Sequence, residues 1–516
     1  MTGRGGWLAS RGAPYVCGAI AAVCVLVTWG SLHAWPVLHD EWAYWTQAGQ
    51  YGALQWTQPS PAQPAFFEQL YVLVTPVYAA KYWPGHAMTI AAGFAIGLPA
   101  LLPILLTGIA GAFVFALARR VAGPWVAALT FVLWVSTFGN LRFRASYFSE
   151  LTTSAAWLAA WWALLSWRET RRTRWMIALA AFTGWGAITR PATMFVFAIP
   201  VGIVVLVDVV RARAGAAAWR QLVIGIATGT AVLGILPLWS ARTTGDWRTT
   251  PLALYTRQYL PFDVPGYTVS TAPPDRSVPP EMERVRGFLR DIKTEQATNP
   301  VWRTFAERAG FLLRDAFAGW RLPFILAFAV GLAVAGTTGW FAIGSSVLLV
   351  LGYVTQAHTR DWTIYYLEAF PSVAFITALG ALAIGRALRA RAGALVEGAL
   401  GQPRVLGVAL TAVSAVAIVT DTVTARAVLG RVAERTYAFR SAVAALPHAP
   451  NIVFVRYAEG RNMHLSLVAN DGMLADAPTW IVHDRGADDL SLMASAPDRT
   501  PYLFDEASGE LREIAR

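Results

Sequence analysis

Asp40 and Glu41 stand side by side in "VLHDEWAYW" (37–45), directly after the first long apolar stretch of the chain. Adjacent acids at a water–lipid boundary cost free energy. A carboxylate there can take a proton from a hydroxyl nucleophile, because low dielectric raises its pKa toward a useful value. The same residues also read as a helix start, with Asp40 as a solvated N-cap and Trp42, Tyr44 and Trp45 as an interfacial aromatic belt. Lys81 and His86 flank the Pro-Gly turn of "AKYWPGHAM". They could meet a phosphate or a polar acceptor, or serve as a snorkelling cation and an anchor. In "LRFRASYFSE" (141–150), Arg142 and Arg144 could hold a phosphate through bidentate contacts, or pair with Glu150 or a lipid headgroup. Glu150 starts the next helix, where the dipole favours an acid in any role. Arg190, in "ITRPATMF", lies about 24 Å of helix beyond Arg174, at or just within a span end. An ionisable residue there is a functional candidate; an arginine snorkelling outward is the alternative. Tyr255 in "LYTRQYLPFD" and Tyr366 in "YYLEAFPS" complete the binding candidates. His39, Asp40, Glu41 and His86 could gather a divalent cation, but no tight ligand spacing marks a metal site. The chain contains no GxxxxGK[ST], GxSxG, HExxH or CxxC.

Apolar helices must position these residues. Of 516 residues, 56% are hydrophobic and only 14% charged, against roughly 25% charged in soluble domains. Apolar runs near 20 residues recur, long enough for a bilayer core of about 30 Å. The pattern predicts about eleven spans, near 14–35, 98–118, 123–140, 149–166, 175–189, 191–210, 221–240, 321–336, 338–357, 365–385 and 405–424. The net charge of +11 does not point to nucleic acid, because the arginines cluster in short loops: 119–120, 167–175, 211–220 and 386–404. Positive-inside bias makes those loops cytoplasmic, together with the N-terminus, where Arg4 and Arg11 precede an uncleaved signal anchor. Only Lys81 and Lys293 break the arginine habit among 42 basic residues, which singles them out. Cys17 and Cys24, about 10 Å apart on one helix, cannot form a disulfide.

Outside the membrane fall the first loop (36–97), a large loop (241–320), the short "HTRDWTI" (358–364) and the tail. The tail (425–516) reads differently. "NIVFVRYAEG" and "TWIVHD" are short buried strands between "PHAPN" and "DAP" turns. The expected architecture is an α-helical polytopic membrane bundle over 1–424 with a small extracytoplasmic α/β domain over 425–516.

An acid pair in the first loop, a "PGH" turn some 45 residues on, "ASYFSE" before the fourth span and a later "RP" turn together resemble the GT-C glycosyltransferases. The branch is the bacterial one, related to protein O-mannosyltransferases and aminoarabinose transferases. The resemblance covers roughly 30–385. It implies transfer of a sugar from a polyprenyl phosphate to an acceptor on the extracytoplasmic side of the plasma or inner membrane, with inversion. The acceptor would be a glycan, a lipid or a protein. It also implies Asp40 as catalytic base, Glu41 as its partner acid, and Arg190 with the Lys81/His86 turn near the lipid phosphate or acceptor. "ASYFSE" and "YYLEAFPS" depart from the family's usual residues, so Glu150 is not a motif match and the late loop's phosphate contact is in question. Two other classes compete. A transporter or flippase of a lipid-linked sugar predicts ionisable residues deep in spans and pseudo-symmetric halves. An assembly protein predicts dispensable loop residues.

Overall fold

The computed structural model describes residues 6–211, 216–392, 403–447 and 449–515. Arg4, His448 of the "PHAPN" turn, and parts of the two basic loops expected at 211–220 and 386–404 lie outside the described residues.

Helix α1 (Ala13–Trp29) leads to α2 (His39–Gly52), which carries the acid pair, and then to a small antiparallel sheet in the first loop. Its strands β1 (Gln58–Pro59), β2 (Val72–Leu73) and β3 (Val77–Ala80) lie in the order β1-β3-β2. Next come α3 (Pro84–Ala95), α4 (Leu101–Ala122), α5 (Pro124–Val135), α6 (Phe138–Arg144), α7 (Glu150–Thr170), α8 (Thr173–Ala187) and α9 (Pro191–Arg211). The "AITRP" segment is a tight turn between α8 and α9, set by Pro191 at the first helical position. Then α10 (Ala216–Leu233) and α11 (Ile235–Thr244) lead into the large loop, which folds as α12 (Pro251–Tyr259), α13 (Pro280–Thr298) and α14 (Val301–Ala316).

Two expected spans, 321–336 and 338–357, take another form. Helices α15 (Phe324–Val334) and α16 (Thr337–Tyr353) are bent by 118° against each other. Extended backbone at Ala335 and Gly336 breaks the ladder. At 11 residues α15 is only about 16 Å long, short of a bilayer core. Hydropathy reads apolar content and misses the break. Helix α17 (Phe370–Ala392) packs so closely on α15 that a Cβ at Gly380 would overlap the Ala327 carbonyl. Such small-residue contact is how membrane helices approach. Among the described residues, five helices are long and apolar enough to cross a membrane, six if the bent pair counts as one. The apolar α1 and α5 are shorter. Ile199, Ile203, Leu206, Val223, Ile226, Val416 and Val419 stay exposed on these helices, as lipid-facing side chains do.

The last helix, α18 (Pro403–Ala444), runs 42 residues, about 63 Å, twice a bilayer core. Residue 425, where the soluble domain is expected to begin, lies inside it. Beyond it comes a second sheet: β4 (Asn451–Arg456), β5 (Thr479–His483), β6 (Thr500–Asp505) and β7 (Glu510–Glu513), with α19 (Asp489–Ser495) between β5 and β6. The order is β5-β4-β6-β7, with β4 parallel to both neighbours and β7 antiparallel to β6. The expected strands at 451 and 479 are present. Ile452, Phe454, Val482 and Leu503 pack on Phe66, Phe67, Val72 and Tyr78 of the first loop. Val453, Val455, Ile481 and Phe504 face Phe439 of α18. A sheet covered on both faces explains the unbroken apolar run "IVFV".

Candidate active site

Helix α2 starts where the acids sit, and its first turn fixes them differently. Glu41 reaches back: one carboxylate oxygen accepts from Val37 N–H (3.1 Å) and Leu38 N–H (3.0 Å), the other from Tyr147 N–H (3.1 Å). It therefore closes the α2 N-terminus and ties it to the segment before α7. Burial pushes its carboxyl up to about 7, against three N–H donors that favour the charged form. Asp40 is free of such duties. It is half-buried, and its Oδ1 accepts from the Tyr82 hydroxyl. Among the described residues it makes no ion pair within 4 Å. Burial raises its carboxyl above the ordinary range, while the Tyr82 hydrogen bond and the charges of Lys81 and Arg190 pull the other way.

Lys81 leaves the end of β3 into a cage of tyrosines. Its Nζ sits 4.1 Å from the ring centroid of Tyr71, 5.1 Å from Tyr255 and 5.3 Å from Tyr82. Tyrosine faces hold an ammonium through their quadrupoles without neutralising it. Asp40 and Asp263 are the acids that act on it, neither within ion-pair distance, and burial lowers its pKa. Tyr255 is positioned for the cage by accepting from Tyr71 N–H (2.8 Å) and stacking on Tyr259 at 4.5 Å.

Arg190 is the opposite case. Its guanidinium pairs with Glu150, donates to the Tyr353 hydroxyl (2.6 Å) and to Thr193 Oγ1 (3.2 Å), and reaches Ser149 Oγ at 3.4 Å. A second buried carboxylate, Glu368, acts on it electrostatically and accepts from Thr153 Oγ1 at 2.5 Å. Tyr365 lies against Arg190, 5.4 Å from ring centroid to guanidinium, and feels the charge of Asp40. Sequence reasoning passed over Tyr71, Tyr82, Tyr353, Tyr365 and Glu368. Only the acid in an otherwise apolar "EAFPS" run signalled the last.

Other expected residues hold scaffolding posts. His86 is fully buried: its Nε2–H donates to Tyr147 O (2.9 Å), and its Nδ1 pairs with the Thr152 hydroxyl (2.8 Å). Burial holds it neutral, its pKa lowered to about 3, so it pins α3 to α7. Arg144 donates to Trp134 O (3.2 Å) and Val135 O (3.0 Å), the carbonyls ending α5, and stacks on Trp134. Tyr366 bonds His358 Nε2 (2.9 Å) in the core, one residue away from the tyrosine that faces Asp40. Lys293 donates to Val264 O (2.7 Å) and Gly266 O (2.5 Å), bracing the large loop. Among the described residues no three acids, histidines or cysteines group as metal ligands, so the His39–Asp40–Glu41–His86 cation site does not form.

By sequence, no protein-family model and no curated protein matches the chain. Among solved structures it superposes on ArnT from Cupriavidus metallidurans bound to undecaprenyl phosphate, with a TM-score of 0.54 at 16% identity, covering 97% of this chain and 91% of that one. The apo state of the same protein gives 0.53 at 15% identity, covering 95% and 89%. The chain has the GT-C fold. Its apolar helices and this fold make it a multi-pass membrane protein.

In this chain the C-terminal segment clamps the helix that carries Asp40. Leu465 bridges Leu38, His39 Nε2–H donates to Met463 O (2.7 Å), Thr46 to Asn470 O (3.2 Å), and Gln50 to Gly472 O (3.3 Å). A Cβ at Gly472 would collide with the Thr46 carbonyl, so only glycine permits this approach. Arg440 of α18 lies 4.0 Å from the centroid of Trp42 and donates to Ala469 O (2.8 Å).

Proposed function

We propose that this protein is an integral-membrane glycosyltransferase that moves a sugar from a polyprenyl-phosphate donor to an acceptor on the extracytoplasmic side of the cell membrane, with inversion. The observation that carries the reading is the juxtaposition of Asp40 with Lys81: among the described residues, a carboxylate without an ion-pair partner beside an ammonium held by tyrosine faces. The GT-C fold supports it, as does the undecaprenyl phosphate bound by the superposed ArnT.

The residues divide the chemistry. The acceptor O–H gives its proton to Asp40 as the oxygen attacks the anomeric carbon from the face opposite the phosphate. The C–O bond to phosphate breaks, and the polyprenyl phosphate leaves with the electron pair. Lys81 meets the charge that gathers on the leaving oxygen, in a site where burial strengthens that interaction. Glu41 holds the base helix, which makes it a positioning residue. Arg190, bound by Glu150, Tyr353 and Thr193, is a positioning residue that adds to the positive field favouring the ionised Asp40. Transfer needs Asp40 deprotonated and Lys81 protonated. Activity is therefore lost as pH falls through the Asp40 pKa, and again as it rises through a Lys81 pKa that lies below the ordinary 10.5.

The test uses full-length protein in lipid nanodiscs with a panel of radiolabelled polyprenyl-phosphate sugars. Asp40→Asn should lower transfer at least about 100-fold, the scale for losing a general base. Near-normal transfer by the variant would remove Asp40 from the mechanism. Movement of intact donor across a vesicle bilayer with no transfer would favour a flippase instead.

A further inference from the structure

Resting on the glycosyltransferase reading, we infer that the loop 461–466, between β4 and β5, builds the acceptor subsite beside Asp40, and that it takes a carbohydrate ring. The acceptor would then be a glycan or the sugar headgroup of a glycolipid.

The two sides of that loop carry the argument. On one side, His464 meets Phe288 of α13 at 5.2 Å between ring centroids and Trp362 at 6.1 Å, while Phe288 and Trp362 lie 6.4 Å apart. Three half-buried rings thus gather from the large loop, the "HTRDWTI" segment and the C-terminal domain. The field of Asp40 reaches His464. Such rings stack on the apolar faces of a sugar while leaving its hydroxyls to other partners.

On the other side, Arg461, Met463 and Ser466 line a cavity with His39, Gln69 and His483. It has room for about one water-sized group, about 20 Å³. Three deeply buried side chains there have an atom without a hydrogen-bond partner: Nδ1 of His39 (9% exposed), Nε2 of Gln69 (2% exposed) and Nε of Arg461, which lies 3.7 Å from Glu506. Their chemistry is fixed by what their other atoms do. His39 Nε2 faces the Met463 carbonyl, so it carries the hydrogen and Nδ1 is a bare lone pair. Gln69 Oε1 accepts from Asn470 N–H (3.4 Å), so its orphan is a donor. His483 repeats the pattern: Nε2–H donates to Glu68 O (2.8 Å), which leaves Nδ1 a lone pair 3.8 Å from Glu281 Oε2. A phosphate or carboxylate would confront the His39 and His483 lone pairs, and an ammonium would leave the Gln69 donor unmet and face the Arg461 cation. A hydroxyl, both donor and acceptor, satisfies both kinds of group. The cavity takes one hydroxyl arm, and the aromatic triad takes the ring from which it projects.

The probes are methyl glycosides of mannose, glucose, galactose and arabinose, read by saturation-transfer NMR on the full-length protein in nanodiscs without donor. At least one should bind. Trp362→Ala and His464→Ala should each weaken its apparent affinity at least about tenfold, about 1.4 kcal/mol, with unchanged thermal unfolding. Lys81→Met should leave glycoside binding intact while losing polyprenyl-phosphate binding, which separates this subsite from the donor reading. The inference is overturned if no glycoside binds, or if binding ignores both ring deletions. Donor-dependent transfer onto a non-carbohydrate acceptor that is equally indifferent to them would overturn it too, and would leave the glycosyltransferase reading standing.

Discussion

Lys81, which is buried, and Arg190, which is half-buried, are cations acting on the same carboxylate, Asp40, and they are held in contrasting ways. Arg190 has a carboxylate, a phenol and a hydroxyl on its guanidinium. Among the described residues, Lys81 has aromatic faces and no ion pair. A buried charge that is fully paired belongs to the structure, since removing one partner strands the other. A buried charge without a counter-ion is tolerated only for a reason, and in the proposed reaction an arriving phosphate would supply it. The contrast separates a paired cation from an unpaired one acting on the same acid, which counting cations near an acid cannot do.

Breaking the paired side should have the largest effect. Arg190→Met leaves Glu150 buried and unpaired, and should cost about 3–5 kcal/mol of stability. Thermal unfolding and detergent-resistant yield report it. Adding Glu150→Met should recover most of the loss, because the stranded charge goes with it. If the single variant is as stable as the parent and merely binds donor poorly, then Arg190 is a ligand and the contrast collapses.

Breaking the unpaired side should do the reverse. Lys81→Met should leave the unfolding temperature close to the parent's and lower donor-dependent transfer about 10²–10³-fold, as loss of a charge-stabilising donor does. Lys81→Arg should not restore it, because a planar fork does not fit a cage built around a point charge. Rescue by arginine would argue against the tyrosine cage as the selecting feature.

Tyr82 sharpens the comparison, since it touches Asp40 and also forms one wall of the Lys81 cage. Its hydrogen bond favours the charged carboxylate, so Tyr82→Phe should raise the Asp40 pKa and move the acid limb of the transfer–pH profile upward by roughly one unit. The phenyl ring keeps the cage, so the alkaline limb should stay in place. A shift of both limbs would mean that the hydroxyl holds Lys81 as well.

Much of this was legible in residue types, and the limits have a physical cause. Acids after an apolar run, and a lysine in a chain of arginines, drew attention to Asp40 and Lys81, which the fold brings together. The same rarity argument also chose Lys293, whose ammonium is consumed by two loop carbonyls. Arg144 and His86 looked free on paper because composition does not reveal where donors go. One closes a helix end and the other bridges two helices. The helical bundle and the strands at 451 and 479 followed from apolar patterning, but the reversal at Ala335–Gly336 did not. Backbone dihedrals, not hydropathy, divide α15 from α16.

The smallest effect concerns two adjacent tyrosines. Tyr366 sits in the core on His358, and Tyr365 packs on Arg190 in the field of Asp40. Residue type cannot choose between neighbours; the irregular turn at 363–369, with Tyr366 at non-helical φ −120° and ψ 25°, decides which ring packs on Arg190. Tyr366→Phe should therefore cost about 1 kcal/mol of stability through one lost hydrogen bond, with transfer kinetics unchanged. Tyr365→Phe should leave stability alone and alter the apparent KM for donor. A kinetic defect confined to Tyr366→Phe would reverse the assignment and place the phosphate end of the donor deeper in the bundle, beside His358 and Arg308 rather than at Lys81.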